Sequence, residues 1–202
     1  MKQIADCGKK GRLPVIIFIS GIMAGSCAIM AHNHKTPEDT QAYAEPEHYT
    51  RAMTYQSVSY TEYDVPAGDT AFKSYMSYKA ITNTKSDQYK LQQKCWTDKN
   101  GLRRYDGDKY VIALGTYYAD SIGEEFRITL DTGKSFNAVV GDFKADRHTD
   151  ALNQYTPMEN RKCVVEFVVD TPSLDKTAKR MGDISYIKGF NGNVEKIENV
   201  SD

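Results

Sequence analysis

The chain has 202 residues, with 26 Lys and Arg against 27 Asp and Glu and a formal net charge of −1. So even a balance offers no clustered positive face to a polynucleotide, and nucleic acid is excluded as a partner on that ground. The four cysteines form no CxxC or Cys/His zinc pattern, and with no phosphate-cradling glycine loop, serine elbow or nucleotide fingerprint, no cofactor is expected.

Lys2, Lys9, Lys10 and Arg12 lead into a run from Leu13 to Ala31 without one charged side chain. As a helix rising about 1.5 Å per residue, that run reaches roughly 28 Å, close to the hydrocarbon thickness of a bilayer. The basic flank holds the N-terminus in the cytoplasm and sends residues 32 onward to the outside. Residues 1–31 therefore read as a signal peptide or an uncleaved membrane anchor, with residues 13–31 as the membrane contact. Small-x-small triplets at Ser26-Cys27-Ala28 and Ala42-Tyr43-Ala44 lie inside the apolar run and well beyond it, and both outcomes stay open. The expected location is the extracytoplasmic side of the cell envelope, membrane-anchored or secreted.

Residues 32–70 carry Pro37, Pro46 and Pro66, acidic groups, and tyrosines at 43, 49, 55, 60 and 63, with no helical or strand period. They read as an extracytoplasmic spacer with some extended structure. From residue 71 to about 200 the pattern becomes short strands divided by turns. Strands are expected over Lys73–Thr82, Val111–Leu114, Glu125–Leu130, Ser135–Gly141, Cys163–Val169, Ile184–Ile187 and Val194–Ile197, and a helical turn or two over Asp175–Arg180. Arg127–Leu130, the turn Asp131-Thr132-Gly133-Lys134 and Ser135–Val140 make a hairpin. Such spacing predicts one small, closed, mainly β domain. Cys95 and Cys163 are the two thiols on the outer side; a disulfide and a pair of small buried hydrophobes are both open.

The run Tyr110–Tyr118, then Ile122-Gly123, Phe126–Leu130 and Ala138-Val139-Val140-Gly141-Asp142 resembles a double-psi β-barrel, a six-stranded fold found in the rare-lipoprotein-A-like and Asp-Asp-Asp families and in a class of membrane-bound lytic transglycosylases. Phe72–Met76, Tyr89–Gln93 and Lys144–Asp150 are similar to stretches of exported proteins from clostridia-like bacteria. The resemblance covers residues 72–198 and implies an envelope protein directed at peptidoglycan or another cell-wall polysaccharide, either as a lytic transglycosylase or glycosidase or as a non-catalytic module binding wall polymer or protein.

In those families one strand delivers an aspartate at the head of a glycine-rich turn and the next carries a second acid among apolar residues. Asp142 matches the first position and Glu166, in Val164-Val165-Glu166-Phe167-Val168, the second, with Glu in place of Asp. A longer loop, Phe143 to Lys162, stands where the families have a short turn. Glu166 between apolar neighbours is expected to hold its proton by desolvation and act as general acid, with Asp142 orienting it; an exposed strand position for Glu166 and a turn-capping role for Asp142 are the alternatives. Asp146, His148 and Asp150, two apart, share one side of an extended segment and are candidate substrate contacts or loop-ordering residues. No metal is assigned to them. Tyr117 and Tyr118 are candidates to stack on sugar rings, against a role in filling the domain's interior.

Overall fold

The computed structural model describes residues 60–201. The basic and apolar lead at residues 1–31, with its readings as signal or anchor, and the spacer as far as residue 59 lie outside the described residues. Among the described residues, no helix is long and apolar enough to cross a membrane.

The described chain is mainly β, as expected, with eleven strands and two short helices. In chain order these are β1 Thr61–Tyr63, β2 Ser74–Ser77, α1 Asp87–Gln92, β3 Trp96–Thr97, β4 Arg103–Tyr105, β5 Lys109–Leu114, β6 Glu125–Leu130, β7 Ser135–Phe143, β8 Thr156–Pro157, β9 Lys162–Cys163, β10 Glu166–Val169, α2 Lys176–Met181 and β11 Val194–Asn199. Nine strands join one sheet in the order β1-β11-β6-β7-β5-β10-β2, with the β3–β4 hairpin attached beside β5; β8 and β9 pair apart from it. Most neighbours run antiparallel, but β5 with β7 and β10 with β2 are parallel.

The expected hairpin forms as β6 and β7, with Ile128 opposite Phe136 and the turn closed from Leu130 N–H to Lys134 O at 2.8 Å. The helical turn expected at Asp175–Arg180 forms as α2, because the Asp175 carboxylate accepts from Thr177 N and Ala178 N and supplies an N-cap. Four differences have local causes. The strand expected over Ile184–Ile187 is a 3-10 turn, since the Asp183 carboxylate accepts from Ser185 N and curls the chain. Lys73–Thr82 keeps only β2 as strand before a 3-10 turn at Tyr78–Ala80, capped by Ser77. Cys163–Val169 is broken at Val164-Val165, so that Cys163 pairs with Thr156 while Glu166 starts β10. Finally, β1 pairs with β11 through Tyr63 opposite Ile197, so the folded part reaches back into the segment read as spacer.

Alternation along the strands builds two apolar layers. One face contributes Ile112, Leu114, Phe126, Ile128, Leu130, Ala138, Val140, Phe167, Val169 and Ile197 to the main core. On the opposite face Val111, Val139 and Val168 form a second, smaller cluster, which Leu91 of α1 covers. Arg103 fastens this helix end: its guanidinium donates to Gln92 Oε1, Gln92 O, Cys95 O and Thr97 Oγ1 and stacks 4.4 Å from the Tyr78 ring centre.

The two outer strands of the sheet path, β1 and β2, do not pair with each other. Polar contacts instead draw the approach to β2 against the start of β11. Thr70 Oγ1 donates to Val194 O, Thr70 N to Asn193 Oδ1, and Lys73 Nζ to Ala71 O at 2.9 Å and Gly192 O at 2.8 Å. Lys73 is fully buried, and burial lowers its pKa from 10.5 to about 8. A depressed lysine contributes stability above its unfolded pKa and loses it as pH falls through the folded one. Lys73→Met keeps an apolar stem and removes the amine. Its stability relative to the wild type is expected to improve steadily as pH is lowered from 10.5 towards 8 in denaturant melts, and a difference that stays flat across that window would contradict the placement of this amine.

A candidate carboxylate site on the second face

Strand register decides which chemical groups meet. Tyr110, Val111 and Ile112 of β5 stand opposite Ala138, Val139 and Val140 of β7, and then the register slips, so that Ala113 faces Asp142 and Leu114 faces Phe143. Gly141 is the extra residue, a β-bulge. Its cause is steric: a Cβ at Gly141 would stand 2.2 Å from Val111 Cγ1, so only glycine lets the two strands approach this closely. With no slip, Asp142 would point into the main core. The slip sends Phe143 there instead, against the main cluster, and puts Asp142 on the face of Ala113.

Across the other edge of β5, Ala113 stands opposite Glu166, and Glu166 stands opposite Ser74 of β2. Cross-strand partners project to the same face. Asp142, Ala113, Glu166 and Ser74 therefore form one row over four strands, with the two acids on either side of an alanine. Two strand spacings place their Cα atoms about 10 Å apart. All four strands forming this row lie far apart in sequence, and the register brings their residues to one line.

Burial, more than anything else, holds the Asp142 carboxyl above the ordinary carboxylate range; the charge of Glu166 adds to the rise, while the Phe143 N–H and the Gln88 side chain oppose it. The Phe143 N–H donates to Asp142 Oδ1 at 2.9 Å, and Gln88 comes from α1, one turn before the Leu91 that covers the apolar cluster beside the row. Glu166 meets a different environment. Its apolar neighbours Val165 and Phe167 turn into the core, its own side chain is 24% exposed, and Lys144 Nζ lies 3.9 Å from Oε2. Glu166 was expected to lie among its apolar neighbours; alternation takes Val165 and Phe167 to the opposite face, and the burial that raises a carboxyl pKa is that of Asp142.

Lys144, Ser74 and Gln88 were not singled out in the sequence. Lys144 sits two residues beyond Asp142 in a segment rich in other charges, so nothing local marked it. Its side chain is buried, with Nζ 3.4 Å from Thr156 Oγ1 and 3.5 Å from Cys163 Sγ. Cys163 also takes the Ser74 N–H at 3.4 Å and lies 3.1 Å from Ser74 Oγ. Cys95, by contrast, donates to Leu91 O at the end of α1 and packs with the second cluster. Both thiols are free, so the disulfide left open between them is not made.

The loop from Phe143 to Lys162 folds on its own hydrogen bonds. Asp150 accepts from Leu152 N, Gln154 N and Tyr155 N, the pattern of a residue that orders a turn. Asp146 accepts from Thr116 Oγ1, and His148 Nε2 accepts from Arg147. Asp146–His148 is a 3-10 turn rather than an extended stretch, so the three side chains are not set on one side and none joins the acidic row. Among the described residues, no cluster of three His, Cys, Asp or Glu side chains is arranged to hold a metal. Gly115 anchors the loop, with Asn153 O only 1.8 Å from where a Cβ would be.

The tyrosines stand apart from the acids too. Tyr118 is buried, donates to Asp64 O and packs edge-on to Tyr63 and Tyr117 in the main core. Burial drives its phenol well above the ordinary range. A ring so enclosed has no face to offer a sugar, and half-buried Tyr117 belongs to the same cluster.

No protein-family model, curated protein or solved structure matches the chain. Gly141→Ala tests the local geometry: overpacking against Val111 should cost about 1–3 kcal/mol in chemical denaturation, whereas a change below a few tenths would mean that β7 does not approach β5 as described.

Proposed function

We propose that the chain is a cell-envelope protein, exported by residues 1–31 and held by or released from the membrane through residues 13–31, whose sheet is a double-psi β-barrel acting on peptidoglycan glycan strands as a lytic transglycosylase or related glycosidase. One observation carries the reading: Asp142 and Glu166, the two acids picked out by the family resemblance, flank Ala113 on one face. Two parallel strand pairs in an otherwise antiparallel sheet, and the bonds from Thr70 and Lys73 that draw its two ends together, support barrel closure.

In this reading Asp142 is the general acid. Burial and the neighbouring charge raise its pKa, the direction that suits a group giving a proton to a leaving glycosidic oxygen. Once ionised, it takes the proton from a hydroxyl of the same sugar, which closes an anhydro ring, or from water, which leaves a reducing end. Glu166, beside Lys144, supplies negative charge opposite the developing oxocarbenium ion; roughly 10 Å between the two Cα atoms leaves space for a sugar and a water between the carboxylates. A second reading, a non-catalytic module for wall polymer or protein, has its own support: the ordered Phe143–Lys162 loop occupies the place of the short turn in the catalytic families, and Gln88 of α1 reaches over Asp142.

Purified full-length chain, incubated with peptidoglycan and assayed by mass spectrometry of the released fragments, separates the two. Anhydro ends are expected for a transglycosylase and reducing ends for a hydrolase. Asp142→Asn should reduce release by about 100-fold or more, and Glu166→Gln by a smaller factor. If the wild type releases nothing yet sediments with the wall, the enzymatic reading fails and the binding module stands.

A further inference from the structure

A cavity of about 620 Å³ opens on the side of the sheet away from the acidic row, lined by Arg104, Tyr110, Lys134, Phe136, Lys188 and Phe190 among others. Tyr110 lies three residues before Ala113 on β5 and points to the opposite face, so this space and the acids are separate. Its floor is rigid. Tyr110, Phe136, Phe167 and Phe190 touch one another in all six pairings, with ring centres 5.0–5.9 Å apart. Over the floor, the Arg104 guanidinium lies above the Tyr110 ring, 3.6 Å from its centre. Such stacking fixes the plane of the fork before any ligand arrives.

The rim is cationic. Lys134, in the β6–β7 turn, and Lys188, ahead of Phe190, are both exposed, and neither side-chain amine has an ion-pair or hydrogen-bond partner among the described residues. Asp108 is the single acid in the lining, and it already accepts from Asn137 Nδ2 at 3.0 Å. Arg104 is ion-paired with Asp98 at 4.0 Å, which leaves the Lys134 and Lys188 amines as two unpaired positive charges beside an aromatic floor. Two such amines match a phosphomonoester, which carries about −1.5 to −2 at neutral pH, better than a carboxylate with its single charge. The uncharged donors Ser135, Asn137 and Asn191 in the same lining suit the remaining oxygens.

We propose that this cavity binds a phosphomonoester carried on an apolar or ring-shaped body, with Lys134 and Lys188 on the phosphate and Tyr110, Phe136 and Phe190 against the body. The site is independent of the carboxylate row, and neither proposal needs the other.

The chain carries its own reporter. Trp96 is its one tryptophan, half exposed, with its ring centre 5.9 Å from the Arg104 guanidinium. Phenyl phosphate, inorganic phosphate and benzoate are each titrated into the full chain while Trp96 fluorescence is followed with excitation beyond the phenyl absorption. Expected are a saturable response to phenyl phosphate, a weaker affinity for inorganic phosphate by about tenfold, little response to benzoate, and a loss of affinity with added salt. The Lys134→Ala/Lys188→Ala pair changes exposed side chains only and should weaken phenyl phosphate at least tenfold while leaving the unfolding midpoint in place. Equal affinity in that double variant, benzoate binding as well as phenyl phosphate, or no saturable response to any of the three would each overturn the proposal.

Discussion

Because Gly141 has no side chain, Val111 Cγ1 can occupy the place of its Cβ, and β7 slips one residue against β5 at that point. Every later residue of β7 changes face as a result. Phe143 turns inward to fill the main core and Asp142 outward to stand in line with Ala113 and Glu166. Packing and chemistry thus share one origin: the same contact that brings the central strands together puts two carboxyl groups on one surface. The apolar cluster of Val111, Val139 and Val168 under Leu91 lies immediately beside them, and the desolvation that raises the Asp142 pKa is a consequence of that neighbourhood.

The long loop after Asp142 supports the same row from its far side. It is pinned where Asn153 meets Gly115 and where Asp150 gathers three backbone N–H groups. Its first residue past β7, Lys144, lies beside Glu166, and its return through β8 and β9 brings Cys163 against Lys144. Ser74, on the outer strand, completes the polar end.

Much of the architecture was legible because its signals are local. Gly133 and the polar residues around it marked the β6–β7 turn, the alternation of Phe126, Ile128 and Leu130 marked a strand with one buried face, and Asp175 marked the start of α2. Pairing two acids, Asp142 and Glu166, from a family resemblance also placed them on strands that the register brings together. The burial of Asp142 was not legible, because it depends on a one-residue bulge and on α1, a helix whose covering residue Leu91 sits in an otherwise polar stretch. Tyr118 illustrates the converse: a tyrosine pair reads equally as a sugar platform or as filling, and only the position of Tyr63 on β1, drawn from the supposed spacer, decides for the core. The even net charge likewise concealed the local excess of cations around Tyr110, since composition averages over surfaces that the fold separates.

The central claim is that Asp142 and Glu166 share a face closely enough to sense each other's charge. Carboxyl-labelled aspartate in the full chain, titrated by NMR in detergent micelles, gives the Asp142 pKa directly, first in the wild type and then in Glu166→Gln. A value above the ordinary carboxylate range that falls when the neighbouring charge is removed is the predicted result. An Asp142 that titrates as an ordinary surface carboxylate, or one whose pKa is unmoved by Glu166→Gln, would contradict the shared face and with it the account of the site.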